Sequence, residues 1–223
     1  MANKGSSGYI KRLYAPKYFA IHKKEHKYIV KQNPGRHSLQ KSVALSLLIS
    51  KLGLSSTMSE SSKIIKSGQV KVNGNAVKDP KFPVGLNDSI EVDQSSHTIG
   101  INRKGHIEIV NDENPGSQVY KVVGKYKDKK NKIMLRLHDG RIIEGKKDVN
   151  VNDSVVLSGK GLSKVLKLGN GAKCRVIDGV HVSMLGTVKE TIKGNMHKEQ
   201  SVIVERKEGG DFETLVRNII VVE

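Results

Sequence analysis

Asn73-Gly74 and the lysines around it, Lys63, Lys66, Lys71, Lys78 and Lys81, are the residues of this 223-residue chain whose types and spacing point most directly to chemistry. That chemistry is the neutralisation of phosphate. An ammonium that settles beside a phosphate releases a counterion, so lysines spaced over a small frame hold a polyanion in a salt-dependent way. A second group precedes them: Lys11, Arg12, Lys17, Lys23, Lys24 and Arg36, together with Lys27 and Lys31, interleaved with Tyr9, Tyr14, Tyr18, Phe19 and Tyr28. Such cations meet phosphates while the rings stack on unpaired bases.

Other constellations fail on spacing. His22-Lys-Lys-Glu-His26 sets two imidazoles four residues apart, but the metalloprotease pattern is H-E-x-x-H, and the two intervening lysines would repel a divalent ion. Ser158-Gly-Lys-Gly161 lacks the upstream Gly and the Ser or Thr after Lys that a phosphate loop needs. Asp79, Asp139, Asp153 and Asp211 stand in Asp-Pro, Asp-Gly, Asn-Asp and Gly-Asp pairs, where turn geometry accounts for them. A single cysteine, Cys174, rules out an internal disulfide and any Cys-rich metal centre, and its apolar surroundings predict a buried thiol. We therefore expect no catalytic residue, no cofactor and no metal.

The charge map supports a polyanionic partner. The net charge is +17, and residues 1–41 hold ten basic residues against one acidic, 42–110 eight against six, 111–167 thirteen against seven, and 168–223 eight against eight. Such self-repulsion has no use in an enzyme of neutral substrates. The first segment, poor in aliphatics and broken by Gly5-Ser-Ser-Gly8 and Asn33-Pro-Gly35, reads as an arm that does not fold alone. The longest apolar patch, Val43–Ile49, is too short to span a bilayer, so a reduced, cytoplasmic protein without a membrane partner is expected.

These side chains need elements to carry them. Leu39, Val43, Leu47, Leu48 and Leu52 share one helical face, with Ser38 as cap and Gly53 as stop, which predicts a helix over that span. Thr57 and Glu60 form a capping box that opens a second helix ending at Gly68. Val70 and Val72 alternate with Gln69 and Lys71, and Asn73-Gly74 supplies both positive-φ positions of a type I′ turn, so a hairpin follows, with a returning strand at 89–92. Beyond it, Ile133, Leu135 and Leu137 alternate before an Asp139-Gly140 turn, and five short strands over the last 55 residues or so suit a small barrel. The expected fold is α+β and multi-domain: a basic arm (1–37), a small α+β RNA-binding domain (38–97), a central antiparallel β domain (98–167) and a C-terminal barrel (168–223).

Together these residues resemble the small-subunit ribosomal proteins of the archaeal and eukaryotic S-four-e family over almost the whole chain. Ile10-Lys-Arg-Leu-Tyr-Ala-Pro-Lys17 is similar to the family's basic N-terminal motif, residues 38–92 to the S-four RNA-binding domain, Leu137-His-Asp-Gly-Arg141 to the central signature, and Gly171–Val188 to a KOW motif in an SH3-like barrel. Two positions depart: Ser61 replaces a usual aliphatic residue and Ser183 a frequent Gly. The chain closes after Asn218–Val222 without a basic tail, which points to an archaeal-type member. The resemblance implies a non-enzymatic ribosomal component that contacts 16S-type ribosomal RNA and neighbouring small-subunit proteins, with no small-molecule substrate. The RNA contacts would fall to Lys11, Arg12, Lys17, Lys23, Lys24, Arg36, Lys63, Lys66, Lys71, Asn73, Lys78 and Lys81. The alternatives are an S-four-domain RNA-modifying enzyme, which needs a positioned catalytic Asp, and a KOW-type transcription or translation factor.

Overall fold

A computed structural model describes residues 8–93, 95–110, 118–158, 161–206 and 209–222. Gly159 and Lys160 of the basic turn, Glu208 of the Glu-Gly-Gly-Asp turn and residues 5–7 of the first break lie outside these described residues. The described chain is mostly β, with two short α-helices, and it divides into two compact units, one within residues 1–100 and 106–115 and the other within 101–105 and 116–223.

The first unit runs β1 (Tyr9–Lys11), β2 (Tyr28–Val30), β3 (Ser42–Ala44), α1 (Leu45–Lys51), α2 (Met58–Lys66), β4 (Val70–Val72), β5 (Asn75–Ala76), β6 (Pro83–Gly85), β7 (Ser89–Val92), β8 (Ser95–Ile101) and β9 (Ile107–Val110). A five-stranded sheet is ordered β5-β4-β7-β8-β9, so it continues through the expected boundary at 97/98, which falls inside β8. Ile99 and Ile107 account for that continuation, since both are buried in the same core as Val70, Val72, Ile90 and Ile65.

Two expectations change here. Leu39–Ala44 is not the first half of a helix: Leu39–Lys41 forms a 3₁₀ turn, Ser42–Ala44 pairs with Gly85–Pro83, and α1 spans only Leu45–Lys51. The Gln32 amide donates to Leu39 O, Ser42 O and Ser42 Oγ and holds this stretch extended. Residues 8–37, read as part of an arm that does not fold alone, are packed into the first unit. Ala15, Phe19 and Ile29 are buried in its core, β1 and β2 pair with each other, and Ile107 N–H donates to Tyr18 O.

The second unit holds β10 (Gln118–Lys127), β11 (Ile133–Leu137), β12 (Ile142–Glu144), β13 (Ser154–Ser158) and β14 (Gly161–Leu166), ordered β12-β11-β10-β13-β14. A second sheet contains β15 (Lys173–Val176), β16 (Leu185–Ile192), β17 (Ser201–Glu205), β18 (Phe212–Leu215) and β19 (Ile219–Val221), ordered β18-β17-β16-β15-β19. Each sheet closes over its own core, one around Tyr120, Leu135 and Val155, the other around Cys174, Val188, Val202 and Phe212. The sheets are tied by polar groups: buried Lys121 donates Nζ to the carbonyls of Val216 and Ile219, and Val221 N–H donates to Ser154 Oγ. The thiol of Cys174 is fully buried, and burial pushes its pKa up to about 11.

In the Leu137–Arg141 stretch, Asp139 is buried, accepts from Arg141 N–H and pairs with its guanidinium at 2.7 Å. That guanidinium lies 4.9 Å from the Tyr120 ring centroid and donates to Tyr120 Oη. The signature thus anchors a turn against the core.

Candidate nucleic-acid interface

Capping starts α2 at a defined residue. Glu60 N–H donates to Thr57 Oγ1 at 3.3 Å, while Glu60 Oε2 accepts from the amides of Thr57 at 3.2 Å and Ser56 at 2.9 Å, closing donors that the first turn leaves open. Ser61 and Ile65 form the buried side of the helix. A serine is tolerated at this apolar position because its Oγ lies 2.6 Å from Ser55 Oγ, so the buried hydroxyl is satisfied. Ser59, Lys63 and Lys66, spaced at helical intervals, form the exposed stripe.

Gly68, at φ +84°, then turns the chain out of the helix, and β4 buries Val70 and Val72 while Lys71 faces out. Asn73 (φ 52°) and Gly74 (φ 77°) both take left-handed backbone, as the hairpin to β5 requires. Lys71 stands opposite Glu91 of β7 in the strand register, without an ion pair between them. The Lys78 side chain comes across Gly68, so it shares the C-terminal end of α2 with Lys66.

Asp88 is the node that positions the frame. It is fully buried and accepts from His37 Nε2 at 2.8 Å, Arg36 Nη2 at 3.1 Å, Asn73 Nδ2 at 2.7 Å and Gly85 N–H at 2.9 Å. Burial alone would raise its pKa, but the hydrogen bond and charge of His37, the charge of Arg36 and the Gly85 amide outweigh it and hold the carboxyl below the usual range. Asn73 Oδ1 also accepts from Ser89 N–H. The hairpin turn is therefore tied to the returning strand and to residues 36 and 37. At Gly85 an added Cβ would lie 2.5 Å from the His37 ring, so the imidazole can reach Asp88 only because this residue has no side chain.

The twelve expected contact residues thus divide. Lys11, Lys17, Lys23, Lys24, Lys63, Lys66, Lys71 and Lys78 are exposed, and no carboxylate among the described residues forms an ion pair with them. Arg12 is buried and pairs with Glu25 at 3.2 Å, while its backbone N–H donates to Lys27 O, so it fastens residues 8–30 internally. Arg36 and Asn73 serve Asp88. Lys81 is half-buried, with Nζ 5.4 Å from the Tyr9 ring centroid. Its carbonyl accepts from Asn33 N–H, joining residues 8–33 to the loop before β6. Among the described residues, no hydrogen bond or ion pair links Lys23 or Lys24 to the α2 frame. His37 and Asp88 escaped the sequence reading, because Asn87-Asp88-Ser89 reads as an ordinary polar turn and gives no local sign of a buried carboxylate.

Three family models match the chain: the RS4NT (NUC023) domain over residues 4–40, the S4 domain over 45–90, and the ribosomal family S4e over 94–161. The chain is similar to the small ribosomal subunit protein eS4 of Methanosphaera stadtmanae, with 32% identity over 229 residues that cover 100% of this chain and 95% of that one. Its likeness to the eS4 protein of Archaeoglobus fulgidus is 34% over 183 residues, 80% of this chain and 78% of the other. The crystal structure of the 30S ribosomal protein S4e from Thermoplasma acidophilum superposes with a TM-score of 0.70 at 29% identity, covering 82% of this chain and 95% of that one.

Proposed function

The chain belongs to the S4e family of small ribosomal subunit proteins, a structural and non-enzymatic family, and from that premise we propose that its first unit binds small-subunit, 16S-type ribosomal RNA. The relatives are ribosomal proteins, so the RNA-modifying enzyme and the KOW-type factor are not favoured. The observation that carries the RNA reading is the set of exposed lysines that form no ion pair with a carboxylate among the described residues, on one multiply fastened unit. Lys11, Lys17, Lys23, Lys24, Lys63, Lys66, Lys71 and Lys78 contact phosphates, with Lys81 beside them. Arg12, Arg36 and Asn73 position the surface rather than touch RNA.

Residues 168–223 form a KOW module of SH3-like form in this reading, and neighbouring small-subunit proteins in the cytoplasmic ribosome adjoin the chain. Five strands around one core support the module, as does Ser183, whose φ of 68° suits the Gly expected there. The division at 167/168 belongs to the same proposal.

Titrating salt against binding of small-subunit rRNA fragments tests the RNA reading. Affinity should fall by about 0.7 to 0.9 log units per log unit of salt for each phosphate contact. The K63A/K66A/K78A variant should flatten that slope by roughly two units while its melting temperature stays unchanged. A flat response of the unaltered protein would refute the reading.

A further inference from the structure

The largest concentration of charge left unused lies in the second unit. Residues 125–132 read Lys-Tyr-Lys-Asp-Lys-Lys-Asn-Lys, five lysines against one acidic residue, at the tip of the β10–β11 hairpin. The tip has a defined turn: Asp128 N–H donates to Lys132 O, Asn131 N–H donates to Asp128 O, and Asn131 takes φ 58°.

The lysines differ in what they do. Lys125 Nζ donates to the carbonyls of Lys147 and Val149, which fastens the loop after β12 to the hairpin and brings exposed Lys146 and Lys147 beside it. Lys132 pairs with Glu144 at 2.9 Å. Lys127, Lys129 and Lys130 are exposed, and no carboxylate among the described residues forms an ion pair with them.

The same hairpin carries an aromatic residue and an arginine on one face. Pairing sets Tyr126 opposite Met134, with Glu144 beyond it, and Gly124 opposite Arg136, with Ile142 beyond it. Leu135 and Leu137 point to the core from the opposite face, so Tyr126, 44% exposed, and Arg136 share the solvent side. The Arg136 guanidinium lies over Gly124, where a built Cβ would meet it at 3.6 Å. A ring and a guanidinium on one exposed face of a strand pair, under a tip of exposed ammoniums, match single-stranded or looped RNA: stacking for an unpaired base, positive charge for its phosphates.

We propose that the β10–β11 hairpin is a second RNA-binding surface, in which Lys127, Lys129 and Lys130 hold phosphates and Tyr126 with Arg136 stacks an unpaired base. It rests on the RNA reading of the first unit and adds a site independent of the α2 frame. Three exposed lysines, Lys127, Lys129 and Lys130, around a single Asp128 at an ordered tip fit a polyanion better than a protein neighbour, whose contacts bury apolar surface between mixed charges.

The test uses the full chain and small-subunit rRNA, with binding followed by fluorescence anisotropy across a salt series. The K127A/K129A/K130A variant should weaken binding about 10- to 100-fold near physiological salt and flatten the slope by roughly two units, with no change in melting temperature. Tyr126→Ala should weaken binding roughly fivefold or more without changing the slope, and Tyr126→Phe should restore it. If the unaltered protein shows steep salt dependence but the triple variant matches it, the hairpin proposal falls, the first-unit reading stands, and the tip serves a protein neighbour or solvent. An unchanged Tyr126→Ala variant overturns the stacking role. A flat salt response of the unaltered protein removes both readings.

Discussion

Deleting residues 1–37 is expected to abolish cooperative folding of the first unit rather than only weaken RNA binding. Phe19 is 2% exposed and Ile29 7%, and both pack in the same core as Leu45, Ile65 and Ile107. The deletion also removes Gln32, which satisfies the carbonyls of Leu39 and Ser42, and both Arg36 and His37, which leaves Asp88 buried beside fewer donors. The single substitution Phe19→Ala should cost about 3 to 5 kcal/mol, a large part of the total stability of an ordinary domain. Tyr14→Ala, at a ring that is 79% exposed, should stay within about 0.5 kcal/mol. Urea unfolding followed by circular dichroism separates the two. A midpoint for Phe19→Ala equal to that of the unaltered chain would contradict the packing.

The second large effect belongs to Asp88. Asp88→Ala should destabilise the first unit by about 3 to 5 kcal/mol, because it strands the buried His37 and half-buried Arg36 without their carboxylate and frees Asn73 at the hairpin turn. The pH dependence follows from the direction of the shift. The folded carboxyl titrates below its unfolded value of about 3.9, so its contribution is fully present above that value and disappears as pH falls through the lower, folded one. Acid unfolding should therefore steepen below about pH 4 in the unaltered chain and flatten in the variant. Urea midpoints at neutral and acid pH check this, and equal pH profiles in the two proteins would refute the role of Asp88.

What the sequence made legible was local. Thr57 with Glu60, Gly68 and Asn73-Gly74 each specify their own conformation within a few residues, and the structure shows the cap, the stop and the turn there. Distant partners decided the rest. Leu39, Val43 and Leu47 keep helical spacing, yet Val43 pairs with Val84 and Leu39 is exposed, because a strand pairing 41 residues away outweighs local periodicity. Arg12 and Arg36 looked like Lys11 and Lys17 in a charge count, and only their burial and carboxylate partners distinguish them. The aromatics between residues 9 and 28 divide likewise: Phe19 is core, whereas Tyr9, Tyr14 and Tyr28 face out. An amphipathic segment too poor in aliphatics to fold alone still folds when a neighbour supplies the remaining apolar surface.

The ribosomal assignment and the RNA reading meet in one measurement: sedimentation of a cell lysate through a sucrose gradient, with this chain located by antibody and rRNA measured in each fraction. The account predicts that the protein migrates with the small subunit and its rRNA at low salt. Persistent recovery in the light fractions, apart from small-subunit rRNA, would contradict it.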